Sequence, residues 1–173
     1  DRNGALKVHT TFQPDTTIVK SMARLGLTFR VSNAYDQVSY LGRGDNETYI
    51  DRNQSGKIGV YQTTPERMFH YYVAPQSTSN RTDVRWVKLA DTSGEGIFVE
   101  SDRAFQFSII PFSDVLLEKA HHINELERDG MITIHLDAEQ AGVGTATCGP
   151  GVLPQYLVPV KKQSFEFMLY PVK

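Results

Sequence analysis

Cysteine is almost absent from this chain. Cys148 stands alone among 173 residues, so no internal disulfide can form, and the CxxC and Cys/His spacings that hold structural zinc are missing. The redox compartment is left open. Tryptophan is as scarce, with Trp86 alone. No apolar run approaches the roughly 18–20 residues of a membrane-spanning helix, which argues against a membrane partner. Lys+Arg 18 against Asp+Glu 20 gives a net charge of −2 with no basic run, so neither a nucleic acid nor an anionic membrane surface is an expected partner. Internal repeats, low-complexity tracts and linkers are also missing. What remains is the composition of a soluble globular protein, 40% hydrophobic and 22% charged, long enough for a single domain over residues 1–173 with its own core.

Period-two patterns dominate the chain. Leu6, Val8 and Phe12 alternate with Lys7 and His9, and Leu25, Leu27, Phe29 and Val31 alternate with Arg24, Thr28 and Arg30. Further strands are expected at Phe105–Ile109, Ile132–Leu136 and Phe165–Leu169. Thr92-Ser-Gly-Glu-Gly96 has hairpin chemistry between strands at Arg85–Leu89 and Ile97–Glu100, and Asp129-Gly130 marks a turn before Met131. One short helix is expected near 113–121, where Ser113 can cap a segment carrying Val115, Leu116, Leu117 and Ala120. Many strands and one short helix give an all-β, antiparallel two-sheet sandwich. Asp1-Arg-Asn-Gly4 reads as a turn leading straight into a strand, without a start methionine or signal peptide, as expected of a piece of something longer.

The stretch AGVGTATCGPGVLPQY, residues 141–156, packs four of the thirteen glycines and the cysteine together. Gly144 to Gly149 has the GxxxxG spacing of a phosphate loop, but Pro150 and Gly151 follow where Lys and Ser/Thr should. Proline also removes an N–H that a phosphate would need. Gly142-Val-Gly144 lacks the third glycine of a dinucleotide fingerprint. A nucleophilic Cys148 would need a nearby base, and the histidines at 9, 70, 121, 122 and 135 are scattered; a small buried or half-buried apolar side chain is the plainer expectation.

Other motifs have plain readings too. Arg43-Gly-Asp45 sits in a turn-rich strand end, and the Asn-x-Ser/Thr sequons at Asn46, Asn53 and Asn80 read as three surface turns. His121 and His122, adjacent on a helix, would point about 100° apart, so one is expected to face the core or a backbone partner and no metal is implied. Asp45/Glu47, Glu125/Glu127 and Asp137/Glu139 are i,i+2 pairs, roughly 6.5–7 Å apart at the backbone on a strand, a spacing a glycosidase could use. They fall in charged turns, where solvated carboxylates are the default.

Taken in order, several segments resemble one family. Arg24-Leu-Gly-Leu27, Tyr40-Leu-Gly-Arg-Gly-Asp-Asn-Glu-Thr-Tyr-Ile-Asp-Arg52, Tyr72-Val-Ala-Pro-Gln76, Asn80-Arg-Thr-Asp-Val-Arg-Trp86, Leu117-Glu-Lys-Ala-His121, Glu125-Leu126 and His135-Leu-Asp137 before Gly142-Val-Gly144 are similar to the C-terminal domain of family 2 glycoside hydrolases of the lac-operon β-galactosidase type. The likeness covers nearly the whole chain and corresponds to the latter part of that domain, to its C-terminus. Departures stand out: the family's Gly-Pro-x-Glu-Asn-Tyr appears as Gly44-Asp-Asn-Glu-Thr-Tyr49, and its Pro-Gln-Glu-x-Gly as Pro75-Gln-Ser-Thr-Ser79. With a one-residue gap, Cys148 falls where the family carries a tryptophan that reaches the active site.

The resemblance implies a supersandwich of the galactose-mutarotase-like type, and catalytic glutamates on a separate (β/α)₈ barrel, so no catalytic residue is expected here. It implies a glycine loop leaning toward a sugar site, with Gly142, Gly144, Thr145, Thr147, Cys148 and Gly149 near the substrate. Expected partners are a galactoside, through the longer enzyme, other domains of that chain, and further copies in a homo-oligomer. No cofactor or metal is expected in this stretch; Mg or Na ions, where the longer enzyme uses them, would bind elsewhere. The resemblance implies a bacterial cytoplasmic or periplasmic setting. Two other readings stay open: an independent carbohydrate-binding module, with Trp86 and tyrosines such as Tyr71 and Tyr72 stacking on sugars, and an assembly domain without substrate contact.

Overall fold

The computed structural model describes residues 4–145 and 148–173. Asp1–Asn3 of the opening turn and Thr147 of the glycine loop therefore lie outside the described residues. In chain order the strands are β1 (Leu6–Phe12), β2 (Ser21–Met22), β3 (Arg24–Ser32), β4 (Gln37–Arg43), β5 (Ile58–Thr63), β6 (Arg81–Ala90), β7 (Gly96–Ile110), β8 (Met131–Gln140), β9 (Val158–Pro159) and β10 (Gln163–Val172). Helix α1 (Pro65–Met68) lies between β5 and β6, and α2 (Asp114–Lys119) between β7 and β8. Among the described residues no helix is long and apolar enough to cross a membrane.

The expected antiparallel sandwich is present, with its two leaves joined through one strand. The main ladder runs β1-β10-β7-β6-β4-β5, and β8, paired with β3, branches from β7. Gly96–Glu100 of β7 pair with β10, whereas Gln106–Ile110 pair with β8. Ser101–Ala104 belong to neither ladder, and the register against β6 jumps between Val84↔Phe105 and Trp86↔Glu100. Extra residues in one strand bend it, and here the bend lets the β10 and β8 leaves separate and enclose a core.

Alternation decides what fills that core. Val99, Phe105, Phe107 and Ile109 of β7 meet Phe165 and Phe167 of β10, Ile132, Ile134 and Leu136 of β8, and Val38 and Tyr40 of β4. Phe105 packs edge-on against Phe167 with centroids 5.3 Å apart, and Tyr40 against Phe107 at 5.0 Å. Each such side chain contributes about 1.5–3 kcal/mol by leaving water. The outer face of the same sheet carries half-buried Trp86, stacked on Phe98, and the exposed Ile58 and Val60 of β5.

Strand β8 is buried on both faces. Its Ile132, Ile134 and Leu136 enter the core, while Thr133 and His135 point under α2 and the segment leading into it and Asp137 is buried beside Arg24. Thr133 Oγ1 donates to the Phe112 carbonyl at 2.7 Å. His135 Nε2 lies 3.1 Å from Asp114 Oδ1, and its Nδ1 lies 2.9 Å from Thr28 Oγ1. A carboxylate can only accept, so Nε2 carries a proton directed at Asp114. That hydrogen bond from His135 holds the Asp114 carboxyl below the usual aspartate range.

Helix α2 forms where Ser113 predicts it, with Ser113 Oγ accepting from the Leu116 amide at 3.2 Å. Helix α1 was not anticipated, although Thr64 as cap and Pro65 in the first turn are its signal. The histidine expectation fails: α2 ends at Lys119 with Ala120 as its cap, so His121 and His122 are not neighbours on a helix, and both are exposed. His122 Nδ1 and the His121 amide each lie 2.8 Å from Glu125. Of the three sequons, Asn46 is exposed but Asn80 is fully buried, its Nδ2 donating to the Thr48 carbonyl and to Gln106, so it is no surface turn. Arg43 is tied to Asp83 and to the Gly56 carbonyl, as befits a structural turn.

Candidate functional site

The glycine loop leaves β8 and is held along its length by backbone pairing. Ala141 N–H donates to the Ala23 carbonyl and Gly142 N–H to that of Tyr156, at 2.8 and 2.9 Å. The next two amides turn to a side chain: Val143 N–H donates to Asp51 Oδ1 at 3.1 Å and Gly144 N–H to Asp51 Oδ2 at 2.7 Å. Beyond them Thr145 closes the loop on itself, its N–H and Oγ1 both donating to the Pro150 carbonyl, and Cys148 N–H donates to the Thr145 carbonyl.

The glycines have two different causes. Gly144 has φ +59° and would drive a Cβ within 2.7 Å of Gly151, so both its conformation and its packing call for glycine. Gly142 has no left-handed φ; a Cβ there would lie 2.4 Å from the Asp51 carboxylate. A side chain at 142 would have to displace the Asp51 carboxylate. Cys148 is exposed, which corrects the expectation of a buried apolar thiol: it sits on the turn after Thr145, where no core residue packs against it.

Opposite the loop stands a wall built from the turn after β4. Glu47, its side chain only 13% exposed, accepts from Tyr72 Oη at 2.5 Å and Arg52 at 2.7 Å through Oε1, and from the Ser79 amide at 3.1 Å through Oε2. Tyr49 Oη lies 3.4 Å from the same Oε2, and the Arg52 guanidinium rests 5.3 Å from the Tyr49 ring centre. Burial comes first in pushing both phenols above their usual range, followed by the Glu47 charge for Tyr49 and the hydrogen bond to Glu47 for Tyr72, so each stays protonated and able to donate. Loop and wall enclose a cleft of about 400 Å³ lined by Val143, Gly144, Thr145 and Cys148 from the loop and by Glu47, Tyr49, Arg52, Tyr72, Gln76 and Ser77 facing them. A neighbouring hollow of about 430 Å³ shares Glu47, Arg52 and Tyr72 and reaches the buried Arg81.

Thus Gly144, Thr145 and Cys148 come together at the cleft. Gly142 lies behind it against Asp51, and Gly149 packs on Thr145. Trp86 lines neither hollow; it lies on the outer face against Phe98. The expectation of solvated carboxylates holds for Asp45, Glu125 and Glu127 but fails for Glu47, which donors draw in, and for Asp137, which is buried beside Arg24; Glu139 is half-buried. Of the three acidic pairs, Asp45 and Glu47 both line the 430 Å³ hollow, but Glu47 is taken up by Tyr72, Arg52 and the Ser79 amide; Glu125 is occupied by His121 and His122, and Asp137 is buried beside Arg24. Among the described residues no group of three or more His, Cys, Asp and Glu is placed to hold a metal ion. Sequence reasoning missed Asp51 as the partner of the loop and Arg52 as part of the facing wall, although both lie in a segment that carries the resemblance; Tyr72, named there as a possible sugar-stacking residue, does line the cleft.

Comparison with known proteins gives the family. The family described as beta galactosidase small chain matches residues 1–169. The chain belongs to that family. A β-galactosidase of Kluyveromyces lactis is 29% identical over 168 residues, covering 96% of this chain and 16% of the relative. One of Vibrio cholerae is 32% identical over 149 residues, 86% of this chain and 14% of the relative, and a Bifidobacterium adolescentis enzyme is 36% identical over 122 residues, 69% and 12%. The chain thus spans only 12–16% of the length of these three family members.

Proposed function

We propose that this chain is a non-catalytic C-terminal β-sandwich portion, of the galactose-mutarotase-like type, of a family 2 β-galactosidase, and that its glycine loop forms part of the wall beside the sugar site. The cleft between the loop and the Glu47 wall carries this reading. Its lining offers phenol and guanidinium donors, a carboxylate and a backbone edge, which suits a neutral polyhydroxylated ligand, and no free acid is poised to transfer a proton. Retaining hydrolysis of terminal β-galactosides, its glutamates and any Mg or Na ions are then assigned to other parts of the longer protein.

The chain by itself should release no chromogenic aglycone from β-galactosides. Release by pure chain that disappears on replacing Glu47, Asp137 or Glu139 would overturn the reading. In the longer enzyme, Cys148→Ala removes one soft contact from the cleft lining and should cost about 0.5–1.5 kcal/mol, seen in KM more than in kcat. Kinetics on substrates that differ only in aglycone measure this. A loss in kcat of about 10⁴-fold would mean instead that the thiol takes part in the chemistry.

The outer face favours a second role beside the first. Exposed Ile58 and Val60 continue the row of Leu41 and half-buried Trp86 across β5, β4 and β6, an apolar strip of the kind that assembly contacts use. On this reading the domain also holds its neighbours in the longer protein.

A further inference from the structure

We infer that Asp51 is the positioning residue that sets the width of the cleft. It does not line the cleft, yet one carboxylate accepts from two successive loop amides, at 3.1 and 2.7 Å. Charged acceptors make the stronger hydrogen bonds, and a carboxylate that receives one N–H at each oxygen fixes orientation as well as distance. The turn that carries Asp51 is itself closed: Tyr49 N–H donates to the Arg52 carbonyl at 3.2 Å, and Arg52 N–H to the Tyr49 carbonyl at 2.8 Å. Tyr49 and Arg52, the residues of that bridge, form the opposite wall. One short turn therefore supplies both a wall of the cleft and the clamp on the other wall, and the separation of the two is built into the turn.

The glycine at 142 completes the device. Its missing Cβ is the space that the Asp51 carboxylate fills, so the two positions specify each other. Asparagine at 51 keeps the shape but has only one acceptor and turns an NH₂ toward an amide N–H. Alanine at 51 vacates the space and releases both amides. Alanine at 142 expels the carboxylate and releases them from the other side.

The test uses Asp51→Asn, Asp51→Ala, Gly142→Ala and the Asp51→Ala/Gly142→Ala double variant. Amide hydrogen exchange at Val143 and Gly144 should quicken by about tenfold or more in each single variant, with the β7 and β8 core amides unchanged. Gly142→Ala should add almost nothing once Asp51 is alanine, because the clash has no partner left. Equal, additive effects of the two substitutions, or protection of both amides that survives Asp51→Asn, would overturn the clamp. The role in the cleft rests on the function proposed above and has its own readout. In the longer enzyme, Asp51→Asn should raise KM several-fold for bulky aglycones with kcat nearly kept. Faster exchange with unchanged KM would leave the clamp standing and sink the placement of the loop beside substrate.

Discussion

Replacing Arg81 by leucine should lower the stability of the chain by about 3–5 kcal/mol, a loss comparable to breaking a buried ion pair. Arg81 is 1% exposed, and among the described residues no carboxylate pairs with it. Its Nε donates to Tyr40 Oη at 3.0 Å, Nη1 to the carbonyls of Ser79 and Asn80 at 3.0 and 3.3 Å, and Nη2 to the Asp45 carbonyl at 2.6 Å. Replacing a buried charge by an apolar residue is often harmless when its partner goes too. Here the partners are main-chain carbonyls, which no substitution removes, and each left dry costs about 1–3 kcal/mol. Arg81→Lys should recover only part of the loss, since an ammonium on a flexible stem cannot span acceptors arranged around a planar fork. Urea midpoints of the three proteins decide it. A leucine variant within about 1 kcal/mol of the parent chain would mean that the carbonyls find water and that the arginine is not the pin of this turn.

The same turn shows where the sequence is legible and where it is not. Strands β3, β8 and β10 and the C-terminal half of β7 are readable because one face of each meets an apolar core, which leaves a period of two in the residues. The hairpin at 92–96 and the cap at Ser113 are readable because their hydrogen bonds join residues at most four apart. The clamp is not readable that way. Asp51 and Gly144 are 93 residues apart, and nothing near Asp51 marks it as different from any carboxylate in a turn. Glu47 misleads for the opposite reason: its neighbours are polar, but Tyr72 and the Ser79 amide arrive from another segment and draw it inward. One departure from the family pattern did carry information. Ser79 stands where the pattern has glycine, and its φ is +75°, a left-handed conformation that serine adopts only under constraint. The constraint is visible on both sides of it, since its N–H is held by Glu47 and its carbonyl by Arg81.

Asp137→Asn should change the pH dependence of stability more than any other single substitution of a carboxylate in this chain. Asp137 is 1% exposed, and burial pushes its carboxyl up to about 6, against the opposing pull of Arg24 and then His135. Arg24 Nη2 lies 2.9 Å from Oδ2, close enough for an ion pair, yet that oxygen has no aligned hydrogen-bond donor, so its lost hydration is not replaced. Unfolded, the same carboxyl titrates near the ordinary aspartate value of about 3.9. Between about pH 4 and 6 the folded chain therefore holds a proton that the unfolded chain has released, and stability falls as the pH rises through this window. A displacement of about two units corresponds to roughly 2–3 kcal/mol, present in full below about pH 4 and lost above about pH 6. Asparagine has nearly the same shape and no charge at any of these values. The variant should lose this part of the slope, and relative to the parent chain it should gain stability on going from pH 4.5 to pH 7.5. Arg24 keeps Gln140 Oε1 at 3.1 Å and is partly open to water, so its own loss offsets only a fraction. The groups that face Asp137, namely Arg24, His135 and, beyond it, Asp114, remain in both proteins. Urea unfolding of both proteins at intervals from pH 4.5 to 7.5 measures it directly. Two curves that run parallel across that range would show that Asp137 is ionised in the folded chain throughout, with Arg24 compensating its burial in full.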